Sequence, residues 1–485
     1  MFPSPRPVFR LLRVASRSLL LALPLALHAA TRSQPNVIFI LSDDLGYSDI
    51  SPYGQKQIQT PQLQRLADEG MLFTNAYSGS AVCGPSRAAL FLGLHNGHNP
   101  IRHNPGAARG WDRTTQGDPP LPENVPTFGK VMKQAGYATA CFGKWGMGVP
   151  GQAGSPRRLG FDTFLGYASH VDAHTYWPDH LWRNDEKVPM DGKTYSHDLF
   201  TKEALAYVRG HRDQPFLLYL SYAIPHVALD PPSLAPYENQ PWPEKEKAFA
   251  AMVTRMDTDI GKLVSLLTEL KIDNNTLVIF ASDNGPCTAG GHKASTFKST
   301  PFRAEKGQLY EGGIRIPFIA RWPGRVAAGS RSDLPICFYD ILATFADVAG
   351  QPPPARTDGI SFLPTLLGRL SAQKQHEYLY WEYGAGNGFQ AVRMSDWKAV
   401  FLNVSQPGEP KLELYNLKTD PQEQHDVASQ QAAIAEKMKR IARESHTPNR
   451  MFPLTHAEFQ TAPPNIVTPN KNQLKRAHKA GKAAK

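Results

Sequence analysis

The sequence predicts an α/β fold: a large mixed, mostly parallel sheet flanked by helices, with a smaller C-terminal α+β subdomain. Three observations predict it. Short, continuous apolar runs of β-forming residues recur at 36–41, 216–221 and 277–281, as expected of strands buried on both faces. Amphipathic helical patterns separate these runs, and crossovers of that length join parallel neighbours. Beyond about residue 370 the pattern changes to short strand signals at 377–382 and 412–415, with a helix after Asp426.

The first strand, 36–41, runs into Ser42-Asp43-Asp44. A helix follows, with Thr60 as N-cap, Pro61 in its first turn, Leu63 and Leu66 on its inward face and Gly70 as its stop. The strand at 216–221 leads to Pro225-His226. Residues 247–270 carry Phe249, Met252, Val253, Met256, Ile260, Leu263 and Leu267 at helical spacing. The strand at 277–281 leads to Ser282-Asp283-Asn284-Gly285, and a helix over 339–348 ends at Gly350. We divide the chain into a leader (1–30), a large domain (31–370), a small α+β subdomain (371–455) and a basic tail without expected structure (456–485).

The 485 residues are 41% hydrophobic and 20% charged, an ordinary globular composition. The formal net charge of +10 lies at the ends: Arg6, Arg10, Arg13 and Arg17 in an acid-free first 30 residues, and six lysines and arginines in an acid-free last 15. The body between them is nearly neutral, which removes the case for nucleic-acid binding. The leader has a basic start, an apolar run at 19–27 and small residues at Ala29 and Ala30. That is the layout of a secretory signal peptide, with a run too short for a membrane span, so export to a periplasm or the exterior is expected. Four cysteines, Cys83, Cys141, Cys287 and Cys337, do not make a disulfide framework for a chain of this length.

Ligands of parallel sheets bind beyond the carboxyl ends of the strands, and the polar clusters lie there. Asp43 and Asp44 are adjacent carboxylates that repel unless a cation or a shared proton lies between them. An Asp pair or an Asn-Gly step also suits a simple turn. Two strand ends that each deliver oxygen donors favour a hard cation, Ca²⁺ before Mg²⁺. Cys83 precedes Pro85 and the helical run from Ser86, which puts it at a helix N-terminus that favours an anion. Arg87, one turn in, can grip a tetrahedral oxyanion. A buried structural cysteine and a reactive thiolate are the alternatives at this position.

Cys83-x-Pro85-Ser86-Arg87, closed by Gly93, resembles the signature of type I sulfatases, within the alkaline phosphatase superfamily. The resemblance continues in order through Asp43-Asp44-Leu45-Gly46, Gly143-Lys144-Trp145, Pro225-His226, Asp283-Asn284-Gly285, and Lys306 before Tyr310-Glu311-Gly312-Gly313. It implies an alkaline-phosphatase-like fold and a catalytic role for the large domain. It also implies a Cys83 oxidised to formylglycine by a dedicated maturation enzyme, and Ca²⁺ held by Asp43, Asp44, Asp283, Asn284 and the modified Cys83. Arg87, Lys144 and Lys306 would stabilise the sulfuryl oxygens, and His226 or Lys306 would protonate the leaving oxygen. The expected substrate is the sulfate ester of a carbohydrate, with aryl sulfates as artificial substrates. His170, His174, Tyr176, Trp177, Trp182 and Arg183 could line a sugar pocket.

Two departures stand out. The family's second signature commonly has a histidine after Gly-Lys-Trp, where this chain has Gly146; His103, His170 and His174 are the candidates to fill that role. The first signature ends Phe91-Leu92-Gly93 in place of Leu-Thr-Gly. The alternatives are a phosphate or phosphonate ester hydrolase of the same superfamily, and a non-catalytic carbohydrate-binding homologue.

Overall fold

The computed structural model describes residues 1–4 and 34–466. Most of the leader, with residues 31–33, and the last 19 residues of the tail lie outside the described residues. Residues 34–466 form one compact unit.

Its centre is a ten-stranded sheet. Five parallel strands form its middle, in the order Thr276–Ser282, Asn36–Ser42, Phe216–Ser221, Ala138–Lys144 and Thr163–Tyr167. Antiparallel strands extend it on both sides, beginning with Phe318–Arg321 at one end and His180–Arg183 at the other. The fully buried Asn36–Ser42 strand shows why its sequence is continuously apolar. Val37, Phe39 and Leu41 enter one core while Ile38 and Ile40 enter the other. The first core is covered by the helices Cys83–Leu92, Phe128–Gln134 and Asp340–Val348. The second is covered by Pro61–Asp68, Ser196–Gly210 and the 26-residue Glu244–Glu269.

One expected cap is replaced. Thr60 precedes the Pro61–Asp68 helix, but its hydroxyl accepts from the Ser51 N–H at 2.7 Å. The free N–H groups of Gln62 and Leu63 instead donate to the Asp257 carboxylate, at 3.1 and 2.7 Å. A side chain from another helix therefore satisfies this helix start, a solution that local sequence does not reveal.

The small subdomain is a four-stranded antiparallel sheet, Leu379–Tyr383, Phe389–Met394, Trp397–Leu402 and Lys411–Asn416. The helix Ala432–Ser445 packs Met438, Ile441 and Ala442 on one face of it. The other face joins the large domain around a buried charged hub. The Glu311 carboxylate takes Lys398 at 2.9 Å, Arg315 at 3.1 Å and the Tyr77 hydroxyl at 2.7 Å. Lys398 also reaches Glu423 at 2.9 Å.

The tail does not begin at residue 456, as the sequence suggested. Residues His456–Thr461 form a short helix with a capping box, in which Thr455 and Glu458 satisfy each other's backbone N–H groups. Glu458 also accepts from His446 Nε2 at 3.0 Å, while His446 Nδ1 lies 2.8 Å from Glu382. Burial alone would lower the His446 pKa, but these two carboxylates raise it to about 9. Its charge-linked stability is fully present below the ordinary imidazole value of about 6.5 and is lost as pH rises through about 9. His446→Gln is therefore expected to cost about 1.5–3 kcal/mol at pH 6 and clearly less at pH 10, measured by urea unfolding at the two pH values.

Candidate active site

Strand register brings the acids together. Ser42 lies opposite Ser282 in the parallel pair, so Asp43 and Asp283 leave neighbouring strands side by side. The backbone keeps them there: the Asp283 N–H donates to the Ser42 carbonyl at 3.1 Å, and the Asp44 N–H to Asp283 Oδ1 at 3.1 Å. Asp44 has a φ of 65°, a left-handed conformation that Asp tolerates better than most residues. All three carboxylates are inaccessible to solvent.

Three cations answer them. Arg87 reaches Asp283 through Nε at 3.0 Å and also donates to Ser221 Oγ at 2.5 Å. Lys144, at the end of its strand, sits 2.5 Å from Asp43. Lys306 approaches both oxygens of Asp44, at 2.6 and 2.8 Å. Burial would raise the Asp43 and Asp44 pKa values, but the cations hold both below the usual carboxylate range. Asp283 is pushed up to about 6 by burial and by the Asp43 charge.

Cys83 opens the fully buried helix Cys83–Leu92 and faces this group. Its Sγ lies 3.3 Å from Asp43 Oδ1 and 3.4 Å from Lys306 Nζ. Burial and the Asp283 and Asp43 charges push its thiol well above the ordinary range, which disfavours a plain thiolate nucleophile. Ser86 Oγ donates to the Asp283 carbonyl at 2.6 Å, tying the helix start to the neighbouring strand end. His226 Nδ1 lies 2.7 Å from the Val227 carbonyl, and Nε2 lies 3.4 Å from Asp44. Burial lowers its pKa, against the pull of Asp44 and Asp43.

The donor set fits a hard cation. Asp43, Asp44, Cys83 and His226 offer ligand atoms within 4.8 Å of one another. Asn284 Oδ1 is buried without a hydrogen-bond partner, while its Nδ2 donates to Asp44 at 2.8 Å. Asp283 lies beside this cluster with its two oxygens turned to the Asp44 N–H and to Arg87. Every site residue expected from the sequence thus comes to one place: Asp43, Asp44, Cys83, Arg87, Lys144, His226, Asp283, Asn284 and Lys306.

The sulfatase family matches residues 35–351, and the C-terminal region of N-sulphoglucosamine sulphohydrolase matches 303–447. The chain belongs to the sulfatase family. It is a sulfuric ester hydrolase, on a fold of the alkaline phosphatase superfamily. It is 30% identical over 465 residues to N-acetylgalactosamine-6-sulfatase of Canis lupus familiaris, covering 89% of this chain and 84% of that one. Against arylsulfatase A of Homo sapiens the identity is 32%, covering 85% and 87%. The crystal structure of Ps i-CgsB, also solved with k-i-k-neocarrahexaose, shares 28% identity with a TM-score of 0.76, covering 91% and 99%.

The place of the sulfatase histidine absent at Gly146 is filled in space. A Cβ built on Gly146 would fall 2.1 Å from His170 Cε1 and 2.4 Å from Nδ1, so the His170 ring occupies that position. His170 Nδ1 is held by Asp118 at 2.8 Å, and its Nε2 is buried without a partner. Burial pushes the pKa of His170 down to about 4, so the ring is neutral. The other two candidates also border the site: His174 stacks on His226, and His103 stacks on Tyr383. The aromatic stretch is mostly structural. Tyr176 is core, with its hydroxyl donating to the Ala223 carbonyl at 2.9 Å, and Arg183 pairs with Glu203 on the surface. Sequence reasoning missed Ser221, Ser86 Oγ and Asp118; only Ser86, inside the signature, carried a local signal.

Gly146→Ala is expected to displace the His170 ring, and adding His170→Ala relieves the clash. A double-mutant cycle read by thermal and urea unfolding should return a coupling of about 1–3 kcal/mol; purely additive effects would mean that the two positions do not touch.

Proposed function

We propose that this sulfatase hydrolyses the sulfate ester of a carbohydrate, using a formylglycine made from Cys83 and a bound Ca²⁺. The observation that carries the reading is the convergence of Cys83 Sγ with three buried acids and three cations, two of them buried, at one helix N-terminus. The side-chain charges of Asp43, Asp44 and Asp283 balance those of Arg87, Lys144 and Lys306. A divalent cation would leave the site positive by two, which suits an incoming sulfuryl group. When bound, Ca²⁺ would polarise the sulfuryl oxygens, and the hydrated aldehyde at position 83 would supply the hydroxyl nucleophile.

The chain's own residues do the rest. Asp43, Asp44, Asp283 and Asn284, with the modified Cys83, would hold the cation. Arg87 orients Asp283, and Lys144 and Lys306 present ammonium groups to the oxygens in flight. His226, fixed through Nδ1 on the Val227 carbonyl, presents Nε2 to the leaving oxygen; Lys306 is the alternative proton donor. A phosphate or phosphonate ester would also suit this site, but a cysteine in the Pro-Ser-Arg context favours sulfate. The substrate reading draws on the relatives named for 6-sulfated N-acetylgalactosamine and on the neocarrahexaose complex. The expected compartment is exported, periplasmic or extracellular, consistent with a leader of signal-peptide layout. Among the described residues no helix is long and apolar enough to cross a membrane.

Protein coexpressed with a formylglycine-generating enzyme should carry an aldehyde on the Cys83 peptide by mass spectrometry. Cys83→Ala should then lose turnover of 4-nitrophenyl sulfate on the scale of other nucleophile deletions, about 10⁶-fold; full activity in that variant would sink the mechanism. Chelation should lower the melting temperature, and Ca²⁺ at a hundredfold excess over its Kd should return about 2.7 kcal/mol.

A further inference from the structure

The loop from Arg102 to Arg109 lines a cavity of about 320 Å³, at the small end of ligand pockets, which run from about 300 to 1,000 Å³. Contacts of that loop link it to the active site. The Gly84 N–H, one residue after Cys83, donates to Asn104 Oδ1 at 2.9 Å, and a Cβ on Gly84 would lie 3.4 Å from the His103 carbonyl. The His103 ring lines the cavity and stacks at 4.6 Å on Tyr383, whose hydroxyl feels the charges of Lys306 and Cys83.

The opposite wall is built by the 449–465 segment. Met451 and Pro464 carbonyls accept the N–H groups of Arg109 and Gly110, at 2.9 and 3.0 Å, so this strap is stitched to the loop that carries His103. It brings Phe459 to the cavity, with the Arg109 guanidinium 4.7 Å over its ring. The strap lies beyond residue 447, where the match to the two family models ends. The pocket wall is therefore built in part from residues outside those matches.

Its charge is specific too. Arg102 is spent internally, on Glu382 at 2.8 Å and on the Gly97 carbonyl at 2.8 Å. Among the described residues no carboxylate pairs with Arg109, whose one side-chain hydrogen bond is to the Pro463 carbonyl at 3.3 Å. The lining also leaves room: a Cβ on Gly106 or Gly386 meets nothing within 4 Å. An available guanidinium, an aromatic face and a sugar-sized void suit a saccharide ring that bears an anionic group.

Resting on the sulfatase reading above, we propose that this cavity binds the saccharide unit next to the sulfated sugar, gripping its carboxylate or second sulfate with Arg109 and its ring with Phe459. The enzyme is thereby tuned to an anionic oligosaccharide in preference to a monosaccharide. Matured wild type, Arg109→Ala, Phe459→Ala and the cavity-filling Gly106→Leu are compared on four substrates. These are 4-nitrophenyl sulfate, N-acetylgalactosamine 6-sulfate, and two disaccharides, one pairing that sugar with a uronate and one a disulfated galactose disaccharide. Wild type should prefer at least one disaccharide, and each variant should lower the disaccharide-to-aryl ratio of kcat/KM tenfold or more. Calorimetry of the same disaccharides with unmodified protein reads binding without turnover, and Arg109→Ala should weaken it by a similar factor. An unchanged ratio with intact sulfatase turnover overturns the pocket and leaves the sulfatase reading standing. Matured protein that turns over no sulfate ester overturns that reading, and the pocket is then decided by calorimetry, where equal affinity of wild type and Arg109→Ala rejects it.

Discussion

Three carboxylates buried away from the surface at the ends of two neighbouring strands set the terms for the rest of the structure. In-phase pairing of 36–42 with 276–282 leaves Asp43, Asp44 and Asp283 nowhere to separate. Like charges in a dry site are tolerated only when counter-charges are equally fixed. The surrounding elements supply those counter-charges from three directions: a helix start gives Arg87, the end of a strand two places along the sheet from 36–42 gives Lys144, and a loop gives Lys306. Removing any one of them would strand a buried charge, a loss of about 3–5 kcal/mol for pairs of this kind. The site and the sheet are thus stabilised by the same contacts.

The same constraint explains why Cys83 is poorly placed to act as a thiol. A thiolate there would join three carboxylates, and burial adds to the penalty. A neutral oxygen nucleophile, beside cations already balanced by acids, meets neither difficulty. The helix N-terminus then contributes partial positive charge where the sulfuryl oxygens would lie. The proposed modification of Cys83 would remove both difficulties.

The central strands were legible because burial on both faces removes the polar alternation that would blur them, and the acids because they break an otherwise apolar run. The helix from Cys83 was legible from Pro85 and the run after it. What escaped depends on partners distant in sequence. Asp257 caps a helix 194 residues away, where Thr60 looked sufficient. Asp118 sits in a loop of turn-forming residues and gains meaning only from His170. Gly146 reads as a missing group, yet its lack of a side chain is what admits the His170 ring. The strap from residue 456 onward looked like the start of a basic tail, because short contacts such as those of 449–464 to Pro100, Arg109 and Gly110 leave no periodic trace.

That strap joins stability to recognition through one carboxylate. Glu382 takes Arg102 on one oxygen and both His446 and the Tyr380 hydroxyl on the other. Arg102 anchors the loop that carries His103, while His446 passes its second ring nitrogen to Glu458 at the strap's capping box. The two walls of the cavity therefore share a single ionic chain, His103 loop to Arg102 to Glu382 to His446 to Glu458. Loss of the His446 charge leaves Glu382 paired only with Arg102 and weakens the hold on the strap. The acids of the catalytic group are answered chiefly by Arg87, Lys144 and Lys306, with His226 beside Asp44. The chemistry is thereby held rigid by the sheet, while the wall that would choose the substrate hangs on a titratable link.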